Sequence, residues 1–167
     1  SVREAAEPDA LVVGVELGHA APTLPALEPL EQMIPQAAWG IAGVHVGADG
    51  TISVADPEAL DPQAPLGDRD LSGAPFTTWR LFLARVAGRT DPIKVQLTGP
   101  LTLGLTLVQA GVAADLAFAV AGAAVSTRAQ DLLDLAERTA PGVPVVLVYD
   151  EPGLVGGLRP EVPLGAD

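Results

Sequence analysis

The feature that most constrains this sequence is an apolar run at residues 143–149 (VPVVLVY), which is followed directly by Asp150, Glu151 and Pro152. A nearly continuous run of Val and Leu is typical of a parallel β-strand buried on both faces. A second strand is predicted at residues 93–98 (IKVQLT), and a long helical pattern separates the two runs. Because parallel strands need a crossover connection, the pattern predicts a βαβ unit with a right-handed crossover, and hence an α/β fold.

The rest of the chain alternates between helical and extended patterns. Apolar residues at helical spacing predict helices at about residues 76–87, 101–108 and 115–139. A β-hairpin is predicted at residues 41–46 and 51–54, because β-branched residues there flank Asp49-Gly50, a pair that tolerates the positive φ of a tight turn. The sequence therefore predicts a sheet covered by helices, with one hairpin added.

Proline-rich stretches interrupt these elements. Residues 21–35 are predicted to form a loop or a very short strand, and residues 55–75 a long irregular excursion, since proline removes a backbone donor and restricts its neighbour. Residues 2–17 have a helix-like pattern that must kink near Pro8, whereas residues 153–167 contain no periodic segment. We expect a single domain spanning residues 1–167.

Composition narrows the possible partners. The net charge of −12 is spread along the chain, which argues against a nucleic-acid partner because phosphate binding needs clustered basic residues. The sequence has no cysteine and no apolar run of 18 residues, so neither a thiolate metal site nor a membrane span is predicted, and a cytoplasmic protein is expected. Of the two histidines, we expect His45 to be a hydrogen-bonded structural residue and His19 to lie in a loop.

Chemistry is expected where the two predicted strands end. In parallel α/β sheets, ligands bind at the carboxyl ends of the strands. Thr98 ends the first strand and Gly99 follows it, and the next helix would offer free N–H groups there to an anion or a carbonyl. Asp150 and Glu151 follow the second strand, where a carboxylate could hold a substrate ammonium group, act as a general base or orient another ligand. Alternatively, either acid caps the next helix or pairs with Arg159.

The two strand ends carry a family resemblance. Residues 94–103 (KVQLTGPLTL) and 145–154 (VVLVYDEPGL) resemble, in the same order, motifs of cobalamin-independent methionine synthase and its shorter, actinobacterial-type relatives. Residues 24–27 (LPAL) and 1–7 are similar to the region that follows the first strand of that family. The wider group includes the uroporphyrinogen-decarboxylase-like barrels.

The resemblance implies a (β/α)8 TIM barrel in which a zinc-activated homocysteine thiolate takes a methyl group from a folate. It places Asp150 against the amino-acid part of homocysteine and puts Thr98 and Gly99 beside the same pocket, while the role of Glu151 stays open. A barrel needs about 250 residues. We therefore expect a partial barrel, its N-terminal half without the first strand, and without the His, Cys and Glu zinc ligands of the later strands.

Three functions remain open at this point. The first is a methionine-synthase-like methyltransferase domain that binds a small homocysteine-like substrate. The second is a decarboxylase-like barrel enzyme that uses carboxylates and arginines without metal. The third is a non-catalytic half-barrel that associates with itself or another chain, because half a barrel leaves sheet edges open.

Overall fold

The structure is a computed structural model, and it describes residues 26–154. The expectations for residues 2–17, for His19 and Arg159, and for most of the C-terminal tail lie outside the described residues.

The described chain is a mixed α/β structure with two small sheets. In chain order its helices and strands are α1 (Met33–Ala38), β1 (Val44–Val46), β2 (Ile52–Val54), α2 (Thr77–Val86), β3 (Ile93–Thr98), α3 (Pro100–Gln109), α4 (Ala114–Thr139) and β4 (Val145–Asp150). Short 3-10 turns lie at Pro29–Glu31, Pro57–Ala59 and Ala74–Phe76. The α/β class, the hairpin and the three predicted helices are confirmed. Within residues 26–154 the strands form no closed barrel.

The predicted βαβ unit is the centre of the fold. Strands β3 and β4 pair in parallel, from Ile93 beside Val145 to Thr98 beside Asp150, and helices α3 and α4 connect them. The strands have equal length and are in register, so their carboxyl ends meet at one edge of the sheet. The pairing continues one residue further, because the Gly99 N–H donates to the Asp150 carbonyl oxygen at 2.9 Å.

The side chains of β3 point alternately to the two faces of the sheet, and only one of these faces belongs to the core. Ile93, Val95 and Leu97 are fully or almost fully buried and belong to the core formed with α2 and α4. Because successive strand residues point to opposite faces, Gln96 and Thr98 lie on the other face. The register places Asp150 on that same face, beside Thr98.

Strand β4 differs from its prediction. The apolar run indicated burial on both faces, yet Val146 and Tyr149 are each 48% exposed. Among residues 26–154, β3 is the only strand that pairs with β4, so its other side has no strand neighbour there. The apolar run predicted the strand correctly. The burial of its side chains, however, depends on neighbouring elements that the sequence of the strand does not reveal.

Helix α1 also departs from expectation, because it lies partly in the stretch predicted to be a loop or short strand. Pro35 is its third residue. The first four N–H groups of a helix have no partner within the helix, so a proline in the first turn removes no hydrogen bond. Buried Pro35, Gln36, Ala37 and Ala38 attach the helix to the core.

The hairpin forms at the predicted turn. Val44, His45 and Val46 pair antiparallel with Val54, Ser53 and Ile52, and Gly50 has the positive φ of 82° that the turn needs. The expectation that His45 is a hydrogen-bonded structural residue is wrong, because its side chain is exposed on the hairpin. It lies on the solvent side of a two-stranded ribbon, where water can satisfy its nitrogens.

The excursion at residues 55–75 is irregular, as predicted, but it is tied to the core by a buried arginine on α4. Arg128 donates from Nη1 to the Asp68 carbonyl oxygen at 2.9 Å, and from Nη2 to those of Trp39 and Gly67 at 2.6 and 3.2 Å. Its side chain is fully buried. One guanidinium thus holds the loop against α4 and the end of α1.

Two further contacts keep this arginine in place. Its guanidinium carbon lies 4.8 Å from the centre of the Phe76 ring, and Nη1 lies 3.6 Å from a carboxylate oxygen of Asp131. Asp131 also accepts from Nε of Arg69 at 2.7 Å, which links the loop to α4 a second time. In the part of the chain that the structure describes, no helix is long and apolar enough to cross a membrane.

Candidate functional site

The two sequence motifs meet at the carboxyl ends of β3 and β4. Thr98 is the register partner of Asp150, and Gly99 is hydrogen-bonded to the Asp150 carbonyl. Glu151 reaches across to the first turn of α3. The structure therefore brings all four predicted site residues together, although they come from segments about 50 residues apart in the sequence.

Glu151 caps helix α3. Its Oε1 accepts from the Leu101 N–H at 2.9 Å, and its Oε2 accepts from the N–H and the hydroxyl of Thr102 at 2.7 and 2.6 Å. The backbone N–H of Gly153 donates to the same Thr102 hydroxyl at 3.0 Å. A carboxylate at a helix N-terminus also interacts favourably with the helix dipole. The geometry supports the capping alternative for Glu151, with the difference that the capped helix precedes it in the chain.

Because of this cap, the segment at Gly99 and Pro100 differs from its expected role. The first turn of α3 was expected to offer free N–H groups to a ligand, yet those of Leu101 and Thr102 are bound to Glu151. Gly99 makes the approach possible, because a Cβ there would overlap Oε1 and Cδ of Glu151. The chain's own carboxylate thus occupies N–H groups that were expected to be free for a ligand.

Thr98 has a different environment. Its side chain is only 1% exposed, and its hydroxyl is buried without a hydrogen-bond partner. Leaving a buried polar group unsatisfied costs about 1–3 kcal/mol. Such a group is rare in a folded protein and needs a local explanation.

A pocket lies beside Thr98, between α1 and the carboxyl end of β3. It has a volume of about 320 Å³, and its lining includes Met33, Ile34, Gln36, Gln96, Thr98 and Pro152. The lining combines amide and hydroxyl groups with apolar side chains, as small-molecule sites do.

Asp150 lies at the rim of this arrangement. Its side chain is half-buried, and no described residue donates a hydrogen bond to its carboxylate. It is not part of the pocket lining, so a ligand that fills the pocket would reach Asp150 by passing over Thr98. Asp150 is therefore available to a ligand, whereas the carboxylate of Glu151 is already engaged.

The wall of the pocket contains two polar residues that sequence analysis missed. Buried Glu31 accepts at Oε1 from the N–H and hydroxyl of Thr78, at 3.0 and 2.6 Å, and so joins the start of α2 to the turn before α1. Gln36 donates from Nε2 to the Pro75 carbonyl oxygen at 2.9 Å. Both partners are about 40 residues or more away in the sequence, so no local pattern could have identified them.

Arg128 was missed although the sequence contains a signal for it. It stands three residues after Val125 and four before Leu132, in the apolar stripe of α4. A charged residue within a buried stripe indicates an internal partner, since buried charges are paired.

The zinc implied by the resemblance does not fit the residues that the structure describes. Residues 26–154 contain no group of three or more His, Cys, Asp and Glu side chains placed to hold a metal ion. We therefore derive no chemical step through zinc from these residues.

Comparison with known proteins adds no relative: no protein-family model matches this chain, and neither the curated proteins nor the solved structures gave a significant match.

Proposed function

We propose that this chain is part of a methionine-synthase-like methyltransferase, from the N-terminal half of a TIM barrel, and that its strand-end site binds the amino-acid part of a homocysteine-like substrate. One observation carries the proposal. Asp150 and Thr98 lie side by side at the carboxyl ends of two parallel strands, and the carboxylate of Asp150 receives no hydrogen bond from any described residue. Parallel α/β enzymes place their substrates at this edge.

The chemistry of Asp150 suits an ammonium group. A carboxylate binds a substrate ammonium through a charge-assisted hydrogen bond, which is stronger than one between neutral groups. Half-burial keeps water from screening the pair completely. Asp150 would orient the amino acid, while activation of the thiol and supply of the methyl group would need groups other than the described residues.

Two arginines of the described chain bear on the decarboxylase-like alternative. A site for an acidic porphyrin needs cationic groups that are free to meet carboxylates. Arg80 donates to the carbonyl oxygens of Leu71 and Gly73, and Arg128 is likewise engaged with backbone carbonyls. Both guanidinium groups are therefore occupied by backbone carbonyls, unlike the free cations that such a site needs.

The proposal is tested by titrating the 167-residue chain with L-homocysteine and L-methionine and following its amide signals by NMR. We expect shifts at residues around the end of β4, and Asp150→Asn should weaken binding about tenfold or more, because it removes the charge that pairs with the ammonium group. Asp91→Asn is the matched control, since Asp91 is 81% exposed and remote in sequence from the site. Equal affinities of the Asp150 and Asp91 variants, or no binding by the unchanged chain, would reject the proposal.

A second candidate function, self-association through β4, is favoured by a specific observation. Val146 and Tyr149 on β4 are each 48% exposed, and Leu154 just beyond it is 53% exposed. Large apolar side chains on a strand with an open edge are suited to pairing with another strand. This function is compatible with the first, because a second copy could cover β4 and leave the strand ends accessible.

A further inference from the structure

We infer that the Thr98 hydroxyl is a second ligand of the substrate ammonium group, so that Thr98 and Asp150 together select a primary amine. The inference rests on the proposed function, which assigns only Asp150 to that group. It starts from the one polar side-chain atom at the strand ends that is buried and unpartnered, Oγ1 of Thr98.

The register of β3 and β4 places the side chains of Thr98 and Asp150 next to each other. Aligned residues on neighbouring strands have backbones about 4.8 Å apart, and their side chains share one face of the sheet. Thr98 and Asp150 are aligned in this way. Since a hydrogen bond joins nitrogen and oxygen at about 2.9 Å and the N–H groups of an ammonium diverge at the tetrahedral angle, one ammonium nitrogen can bridge two oxygens about 4.7 Å apart. That separation is close to the spacing of aligned residues on neighbouring strands.

The chemistry supplies the preference for an amine. An ammonium group has three donors, and the carboxylate of Asp150 can accept one or two of them. A hydroxyl oxygen can accept the next, and its own proton remains available to a further acceptor. Binding of an amine would therefore satisfy the buried oxygen of Thr98, which has no hydrogen-bond partner among the described residues.

The pocket beside Thr98 gives the rest of the ligand a place. Met33 and Ile34 provide apolar surface, and the volume of about 320 Å³ exceeds what a short aliphatic side chain requires. An amino acid with a thioether or thiol chain could place its amine between Thr98 and Asp150 and its side chain against α1.

The test compares Thr98→Val and Thr98→Ser with the unchanged chain. Valine has nearly the shape of threonine without the hydroxyl, whereas serine retains the hydroxyl. The probes are L-methionine and 4-(methylthio)butanoate, which is the same molecule without the amino group, and both are titrated by NMR. We expect Thr98→Val to weaken methionine binding about tenfold, because a hydrogen bond to a charged group is lost. Thr98→Ser should bind methionine within about threefold of the unchanged chain, and neither variant should alter the weak binding of the deaminated probe.

A stability measurement separates a ligand-binding role from a structural one. Because the hydroxyl has no partner in the free protein, Thr98→Val should unfold at the same or a higher urea concentration than the unchanged chain. Loss of stability together with loss of binding would instead assign Thr98 a structural role and overturn the inference. Thr98→Ala is a second hydroxyl-free variant should the valine not fold.

The outcomes also distinguish this inference from the proposed function. If Thr98→Val binds methionine as tightly as the unchanged chain while Asp150→Asn does not, the inference fails and the proposed function stands. If Thr98→Val weakens both probes equally, the hydroxyl does not recognise the amine, and the inference fails. If the unchanged chain binds no methionine, both fail.

Discussion

At the scale of single residues, two neighbouring carboxylates have different surroundings. Asp150 ends β4 on the face of Thr98, while Glu151 turns to α3 and accepts three hydrogen bonds there. The cause is the alternation of side chains along an extended chain, which sends adjacent residues to opposite faces. Changes at these two positions should therefore affect different properties of the protein.

The first prediction concerns the stability of Glu151 variants. Glu151→Ala should lower the free energy of unfolding by about 2 kcal/mol, because it leaves the N–H groups of Leu101 and Thr102 without their cap. Glu137→Ala, at an exposed position on α4, is the control and should change stability little. Urea denaturation measures both, and equal unfolding midpoints for the two variants would show that the cap does not stabilise α3.

Arg128 provides a second test at this scale. Burial lowers the pKa of Arg128 below its usual value, while the charge of Asp131 opposes that shift. Arg128→Lys should lower the free energy of unfolding by about 3 kcal/mol or more, because one ammonium group cannot replace a planar guanidinium group that donates to three carbonyl oxygens. Arg85→Lys, on the exposed side of α2, should cost little. Comparable unfolding free energies of the two variants would contradict the anchoring role of Arg128.

At the scale of elements, the end of β4 and the start of α3 form one structural unit. The chain turns sharply at Gly99 into α3, and the space that a side chain would fill there is taken by Glu151. A strand end and a helix start that belong to different segments thus depend on each other.

A double-mutant cycle measures that dependence. Gly99→Ala should destabilise the unchanged chain by about 1–3 kcal/mol, because the new methyl group displaces Glu151 from the helix. In a chain that already carries Glu151→Ala, Gly99→Ala should lower the free energy of unfolding by clearly less. Additive unfolding free energies would mean that Gly99 and Glu151 are not coupled.

The hairpin offers a prediction on pH. The hydroxyl and the N–H of Thr51 donate to Asp49 at 2.7 and 3.1 Å, and these bonds lower the pKa of Asp49 from its usual value. Thr51→Val should raise that pKa, as followed by NMR of the Asp49 carboxyl carbon. Because the pKa is depressed in the folded state, any stabilisation is present above the ordinary carboxyl pKa and is lost as the pH falls through the lowered value. An unchanged pKa in the variant would rule out the hydroxyl as its main cause.

At the scale of the whole molecule, the exposed side chains of β4 bear on whether the chain is a monomer or self-associates. We expect the chain to self-associate in sedimentation experiments as its concentration rises, because Val146 and Tyr149, on opposite faces of β4, present apolar area beside an edge that no other strand of residues 26–154 covers. Val146→Lys should reduce association, since a charge on this surface opposes contact between copies. The exposed Leu81→Lys, on α2, is the control. A monomer at every concentration would count against β4 as an interface.

Much of the fold followed from local patterns. Apolar spacing of 3.6 residues located α2, α3 and α4, since that period reflects the geometry of the helix itself. Short runs of β-branched and apolar residues bounded by turn residues located both strands of the parallel pair. The turn at Asp49-Gly50 was found because few residue pairs tolerate its φ angles. Helix α1 was missed because the prolines of residues 21–35 were read as breakers, although Pro35, in the first turn of the helix, removes no hydrogen bond.

The sequence by itself determined that Thr98, Gly99, Asp150 and Glu151 lie at the carboxyl ends of two strands, because apolar runs and the turn residues that end them are local properties of the chain. Only the tertiary structure decided which of these residues remain available to a ligand. Glu151 is bound to α3, the hydroxyl of Thr98 is enclosed without a partner, and Val146 and Tyr149 remain uncovered. These outcomes depend on register and packing between segments far apart in the chain, where a shift of one residue would place every side chain on the opposite face.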